Sequence, residues 1–276
     1  MTLAISVENL VYRYSDGREA LRNVSLDVEA GRTVALIGKN GAGKTTLAKH
    51  LNGLLKPTSG RVIVAGIDAS KRSASEMARV VGYVFQNPED QLFGSSVFEE
   101  VAFGPKNLGM SGEEIERQTE QALSMVGLLS CISEHPYDMT YGQRKMLCLA
   151  SVLAMNPAVV VMDEPNAGQD YHGMRLLASV IDRLKRMGKT TVIITHDMEL
   201  VARECERAAL MGDGELIAYD ATRQLLSDPS RLSLSNVRPP QVTRLAITLS
   251  RLGVRRDIMT VEEMTEFLVE SKRKTA

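Results

Sequence analysis

Residues 34–55 constrain this chain more than any other stretch. A short apolar run, Val34-Ala35-Leu36-Ile37, breaks into Gly38-Lys39-Asn40-Gly41-Ala42-Gly43-Lys44-Thr45 and resumes at Thr46 as a helical pattern reaching Leu55. The spacing is G-x-x-x-x-G-K-[ST] between a strand and a helix, the setting a phosphate-cradling loop requires. Glycine at 38, 41 and 43 lets the backbone curl tightly and turn its N–H groups inward. A helix starting near Lys44 adds the positive end of its dipole. The Lys44 ammonium has the reach for the β- and γ-phosphates of a nucleotide, and the Thr45 hydroxyl suits Mg²⁺. Leu47, Leu51, Leu54 and Leu55 share one face of the predicted helix, and Pro57 stops it.

Further features fit an open α/β sheet that keeps its ligands at the carboxyl ends of the strands. Residues 158–162 are a continuous apolar run, the pattern of a parallel strand buried on both faces, and they deliver Asp163-Glu164. Adjacent carboxylates at such a place are costly unless they serve a cation or a proton transfer. Asp163 suits Mg²⁺ held through water, and Glu164 suits a general base for an attacking water; the other reading is a polar strand end turning at Pro165. Residues 190–195 form a second such run, ending in His196. Gln86 follows a predicted strand over 79–85, where a side chain can reach a metal or a water. Upstream, residues 3–10 and 20–28 read as strands of a small antiparallel sheet. Tyr14, between them, is either a half-buried strand residue or a ring on which a nucleobase stacks.

Helical patterns with interruptions cover 89–126, where Ser111 and Glu114 make a capping box, and another helix starts at Gln143. After Arg238-Pro239-Pro240, the residues Val242, Leu245, Leu249 and Leu252 share a predicted helix face, and Thr260 with Glu263 boxes the start of a last helix. A net charge of −1 gives no global field for nucleic acid or an anionic membrane, so no nucleic-acid partner is expected. Cys131, Cys148 and Cys205 lack metal-ligand spacing and read as reduced thiols of a cytosolic protein. The start shows no signal-peptide pattern, and the apolar stretch over 146–155 is too short to span a bilayer. Any work at a membrane is therefore expected to run through a partner.

Taken in order, these residues resemble the nucleotide-binding subunit of ABC transporters, from about residue 3 to residue 227. In that resemblance the glycine-rich loop is Walker A, Gln86 marks the Q-loop, Asp163 and Glu164 end Walker B, and His196 is the switch histidine. Tyr14 stands where the family keeps its adenine-stacking aromatic. The resemblance implies that ATP is bound by Tyr14, Gly38, Lys39, Asn40, Gly41, Ala42, Gly43, Lys44, Thr45 and Thr46. It implies that Thr45, Gln86 and Asp163 hold Mg²⁺, and that Lys44, Glu164 and His196 carry the hydrolysis. The family signature, usually LSGGQ, reads Met139-Thr140-Tyr141-Gly142-Gln143, with Tyr141 in place of the first glycine. The family uses this segment in trans, so Thr140, Gly142 and Gln143 are expected to close the nucleotide of a second ATPase subunit. The D-loop reads Asn166-Ala167-Gly168-Gln169-Asp170 and keeps the aspartate, Asp170, that faces the dimer interface.

A narrower resemblance is to the energy-coupling-factor (ECF) ATPases, which power uptake of vitamins and transition-metal ions. It is carried by Val84-Phe85-Gln86-Asn87-Pro88-Glu89-Asp90-Gln91-Leu92-Phe93, by Glu99-Glu100-Val101-Ala102-Phe103-Gly104-Pro105 and by Asn107-Leu108-Gly109. The fold implied is an α/β, ABC-type P-loop ATPase over 1–227. It has a mixed core sheet, an N-terminal antiparallel β subdomain and a helical subdomain inserted at about 89–157, and a short helical extension follows over 228–276. The function implied is that of an ATP-hydrolysing importer subunit at the cytoplasmic face of the cell membrane. Its partners would be a second ABC ATPase (the same chain or a paralogue), a transmembrane coupling subunit and a substrate-binding membrane subunit. Leu92, Phe93, Val97 and Phe98 are either an apolar groove for coupling helices or ordinary core. The alternatives are the ATPase of another ABC importer and a soluble ABC ATPase outside transport. Against a repair-type soluble ATPase, residues 45–139 show no coiled-coil heptad run.

Overall fold

The computed structural model describes residues 2–275, with side chains through Lys272. Strands β1 (Leu3–Arg13) and β2 (Glu19–Glu29) form a hairpin whose turn closes through a Gly17 N–H to Tyr14 carbonyl hydrogen bond. Strand β3 (Thr33–Ile37) follows. Strands β4 (Ser59–Val64) and β5 (Ile67–Asp68) extend the first sheet, in the order β2-β1-β4-β5, all antiparallel. The second sheet gathers β6 (Val81–Val84), β7 (Val159–Asp163), β8 (Thr190–Ile194) and β9 (Arg207–Gly212) parallel to β3. Strand β10 (Glu215–Ala221) turns back along the edge, giving the order β10-β9-β3-β8-β7-β6. This is the mixed core sheet, beside an antiparallel one, that the family resemblance implies.

Every residue of β3, β7 and β8 is buried, as a sheet covered on both faces demands. Side chains alternate across the sheet, so Val34, Leu36, Val161 and Ile194 pack toward the antiparallel sheet with Ile5, Val7 and Leu26. Ile37, Val160, Met162 and Ile193 pack on the other face against helices. The helices are α1 (Lys44–Leu51), α2 (Ala74–Met77), α3 (Val97–Asn107), α4 (Gly112–Met125), α5 (Tyr141–Leu153), α6 (Tyr171–Arg186), α7 (Met198–Glu204), α8 (Thr222–Leu226), α9 (Pro229–Ser233), α10 (Gln241–Thr248) and α11 (Val261–Thr275). Among the described residues no helix is long and apolar enough to cross a membrane.

Some local expectations are corrected. Helix α1 ends at Leu51 rather than Leu55, because Gly53 adopts φ +72° and breaks the helical path, which leaves Leu54 exposed. Leu92 and Val97 belong to the core, while Phe93 is 63% exposed and stacks edge-on against Phe103, ring centres 4.6 Å apart. The apolar surface here is therefore Phe93 with Phe103. In α10 the buried positions are Thr243 and Ala246, and Leu245 and Leu252 face outward. The α-helix tightens into a 3₁₀ turn at Leu249, which breaks the expected period. The Thr260–Glu263 box is half formed: Glu263 N–H donates to Thr260 Oγ1 (3.2 Å), but the Glu263 carboxylate is taken by the Arg223 guanidinium and by the Met259 N–H. That pairing, with Arg203 on Glu262 (2.9 Å), straps α11 to α7 and α8.

Candidate functional site

Strands β3, β8 and β7 are neighbours in the core sheet, and their carboxyl ends supply the site. After β3 the loop wraps around the start of α1. Gly38 has φ +146°, and a Cβ there would lie 2.2 Å from the Met211 carbonyl oxygen; Gly43, at φ +97°, caps α1 without any side-chain acceptor. The first-turn N–H groups of α1 therefore point unsatisfied into the cleft, a built-in anion site. Lys44 is buried, and its Nζ donates to the carbonyls of Gly38 (2.7 Å) and Lys39 (3.0 Å) and lies 3.5 Å from His196 Nε2. Burial lowers the Lys44 pKa, and the Glu164 and Asp163 carboxylates pull it back up.

Asp163 closes β7. Its Oδ2 accepts from Thr45 Oγ1 (2.9 Å) and from the Tyr83 hydroxyl (3.2 Å), whose own pKa is pushed up by burial and then by Asp163. The Thr45 hydroxyl and the Asp163 carboxylate thus converge where the loop meets the sheet. Their all-oxygen donor set fits Mg²⁺. Among the described residues no group of three or more His, Cys, Asp or Glu gathers to hold a metal alone. An ion here would complete its shell with phosphate oxygens and water.

Glu164 sits at φ +47°, a left-handed conformation that costs a non-glycine residue about 1–2 kcal/mol. Its N–H donates to the Ile194 carbonyl (2.8 Å), and Oε1 lies 3.6 Å from His196 Nε2. Burial raises the Glu164 pKa; a hydrogen bond from the His196 backbone opposes it. The His196 pKa is lowered by burial and then by Lys44, so the ring is neutral at pH 7. The site therefore pairs a carboxylate of raised proton affinity with a neutral imidazole and a buried ammonium, beside a row of free amides. That set can bind a phosphate chain and accept a proton from water.

Tyr14 stands at the cleft mouth. Its hydroxyl is 3.0 Å from Thr46 Oγ1, Tyr12 packs edge-on against it, and the Arg18 guanidinium lies 4.9 Å over its ring. One cleft of about 720 Å³ is lined by Tyr14, Asn40, Gly41, Ala42, Gly43, Lys44, Thr45, Thr46, Gln86, Asp163, Glu164 and His196. Gly38 contributes its carbonyl to Lys44 behind that lining. Lys39 is not among the lining residues: its ammonium pairs with Asp213 (2.6 Å), which does line the cleft, and its N–H donates to Ser235 Oγ (3.0 Å). Thr140, Gly142, Gln143 and Asp170 lie outside the cleft lining. Thr140 and Gln143 form a reciprocal capping box at the start of α5, and Asp170 caps α6 through the Gly173 N–H. Gly142 meets the D-loop, where Gln169 Nε2 donates to its carbonyl (3.0 Å). Arg18, Lys145 and Ser235 escaped the sequence reading. Arg18 follows a turn that could have flagged it, whereas nothing local marks the other two.

The chain matches the family model described as ABC transporter over residues 21–167. A relative from Methanosarcina acetivorans, named provisionally as an ABC transporter ATP-binding protein, is 42% identical over 267 residues, 96% of this chain and 43% of that protein. The chain thus spans less than half the length of that relative. The energy-coupling factor transporter ATP-binding protein EcfA of Methanocaldococcus jannaschii is 39% identical over 249 residues, covering 90% of this chain and 89% of that protein. Among solved structures, cbiO1 from Clostridium perfringens, described as part of the ABC transporter complex cbiONQ, superposes with a TM-score of 0.77. It is 32% identical, over 92% of this chain and 98% of that one.

Proposed function

The chain belongs to the ABC transporter ATP-binding family, and from that premise we propose that it hydrolyses ATP to drive an importer of the energy-coupling-factor type. The observation that carries this reading is the convergence of Lys44, Thr45, Asp163, Glu164 and His196 on one cleft. The free amides of the loop and the Lys44 ammonium bind the β- and γ-phosphates, and Tyr14 offers the base a ring face. Thr45, Gln86 and Asp163 are the residues that would hold Mg²⁺, which when bound neutralises charge on the phosphoryl oxygens. Glu164 orients a water and takes its proton as the water oxygen bonds to the γ-phosphorus. The bond from that phosphorus to the bridging oxygen breaks, leaving ADP and phosphate. His196, neutral and beside both Lys44 and Glu164, contacts the γ-phosphate.

Thr140, Gly142 and Gln143, outside their own cleft, close the nucleotide of a second ATPase subunit, and Asp170 faces that partner. Loss of the γ-phosphate releases the pair. On this reading residues 1–227 are the ATPase unit, with helices at about 89–157 inserted, and 228–276 are an extension. Ala276 lies outside the described residues. The exposed Phe93–Phe103 pair is the docking surface for a transmembrane coupling subunit at the cytoplasmic face of the cell membrane. A vitamin or a transition-metal ion, selected by a separate membrane subunit, is the cargo; the relatives named EcfA and cbiO1 support the transporter type, being named for an energy-coupling factor transporter and an ABC transporter complex.

The test is affinity capture of the tagged protein from detergent-solubilised membranes, followed by mass spectrometry and a phosphate-release assay on the captured assembly. A polytopic subunit, small hydrophobic binding proteins and a second ATPase are expected, with capture lost in a Phe93→Ser/Phe103→Ser variant. Recovery of soluble proteins alone would overturn the transport reading. Capture of an assembly that releases no phosphate from ATP would overturn the enzymatic one.

A further inference from the structure

Lys145 is 2% exposed, the bulkiest of the fully enclosed side chains among the described residues. Lysine is almost never fully buried unless paired, and an ammonium taken out of water costs several kcal/mol unless its donors are satisfied. Here all three are. Nζ donates to the carbonyls of Phe85 (3.1 Å), Gln86 (3.0 Å) and Asp163 (3.1 Å). Burial lowers its pKa, and Cys148, Asp163 and Glu164, in that order, oppose this more weakly.

The three acceptors come from two chain segments that part at this point. The β6–β7 ladder ends with Val84 opposite Met162. Beyond it, one segment carries Gln86 and the other carries Asp163 and Glu164. Lys145 reaches between them from α5, the helix that begins at the signature residues. A second link from the same helix, the Tyr141 hydroxyl, lies 3.5 Å from the Gln86 carbonyl oxygen. With the ladder gone, the ammonium bridges both segments.

We propose that Lys145 is a positioning residue: a three-point tie that fixes Gln86 relative to Asp163 and Glu164, and ties both to the signature helix. It touches no reacting atom. The inference rests on the cleft being an ATPase site, because only then do those side chains act on water and metal. A misplacement of about 1 Å in such a constellation costs on the order of 10²-fold in rate.

Full-length Lys145→Met and Lys145→Gln variants test it, against wild type and Glu164→Gln. Amide hydrogen exchange is followed by mass spectrometry, binding of a fluorescent ATP analogue by titration, and phosphate release, on the assembly captured with its second ATPase, over a range of free Mg²⁺. For Lys145→Met, exchange should quicken over residues 84–88 and 162–165 and stay unchanged in the antiparallel sheet. Nucleotide affinity should stay within about threefold, kcat should fall on the order of 10²-fold, and half-saturation by Mg²⁺ should rise. Lys145→Gln, which keeps two donors, should retain more of the rate; if the methionine variant does not fold, the glutamine variant decides. Unchanged exchange in both segments with wild-type kcat would overturn the proposal. So would faster exchange spread over the whole chain with unchanged kcat per folded molecule, since that is a fold staple and nothing more. If the wild-type assembly, captured with its second ATPase, releases no phosphate, the ATPase reading fails and the catalytic part of the inference falls with it, while the exchange data still report whether the tie exists.

Discussion

Tyr141 fills the space that a side chain at Gly168 would need: a Cβ added to Gly168 would lie 2.3 Å from Tyr141 Cδ1. Gly168 is also held at φ +72°. The signature's departure from the family pattern is thus matched in the D-loop, where glycine leaves room for the ring as it stands. Gly168→Ala should cost about 1–2 kcal/mol for the left-handed backbone, plus a smaller term for displacing the exposed Tyr141 ring. In a Tyr141→Ala background only the first part should remain. A double-mutant cycle by urea unfolding measures the difference, and strict additivity of the two changes would show that the residues do not compete for space.

Glu164 is where activity and stability should move in opposite directions. Glu164→Gln should lower kcat by about 10²–10⁴-fold and leave ATP binding intact. Burial raises the carboxyl pKa in the folded protein, so the fold holds a proton there more tightly than the unfolded chain does. The stability this group contributes is present at low pH and lost as pH rises through the folded pKa. At pH 8 the nucleotide-free Glu164→Gln protein should therefore melt above wild type, and the gap should close on acidification. The acid limb of the wild-type rate profile should lie above the ordinary carboxylate range. Calorimetry across pH, beside phosphate release, checks both; a variant that melts below wild type at pH 8 contradicts the assignment of a costly buried charge to Glu164.

Tyr14 should act through its ring rather than its hydroxyl. Tyr14→Ala removes a stacking face worth about 1–3 kcal/mol per base, so ATP affinity should drop by roughly 5- to 150-fold. Tyr14→Phe keeps the face and gives up only the half-exposed bond to Thr46 Oγ1, and should bind within about threefold of wild type. Titration with a fluorescent nucleotide separates the two. Equal losses in both variants would mean that the hydroxyl, not the ring, carries the contact.

The cleft was legible because each of its parts sits at a strand end, and buried parallel strands announce themselves as unbroken apolar runs. Val34-Ala35-Leu36-Ile37, the run before Asp163 and the run before His196 are such cases, and in the fold they lie side by side. The errors arise where local pattern competes with distant partners. Thr260 and Glu263 have capping-box spacing, but Arg223, forty residues away, makes a charged bidentate contact with the Glu263 carboxylate, which is left turned to Arg223 and the Met259 N–H rather than to the Thr260 N–H. Leu92 and Val97 look like surface partners of Phe93 until α3, α4 and α5 close over them. Lys145 and Ser235 carry no local mark, because their importance comes from carbonyls and amides brought near by the fold.

Ser235 shows how the chain beyond the ATPase strands reaches the phosphate loop. Its side chain is fully buried; Oγ donates to the Met211 carbonyl and accepts the Lys39 N–H (3.0 Å), directly behind Gly38. One hydroxyl therefore satisfies a loop amide and the carbonyl against which Gly38 packs. In Ser235→Ala both groups lose that partner, and a buried donor left unpaired costs about 1–3 kcal/mol. Urea unfolding should show a loss of that size. Because Lys39 lies at the start of the loop, ATP affinity should fall as well, whereas Ser227→Ala, a partly exposed C-cap serine whose hydroxyl bonds only back to the Arg223 carbonyl, should change neither. A Ser235→Ala protein with wild-type stability and affinity would mean that the loop holds its shape without this brace.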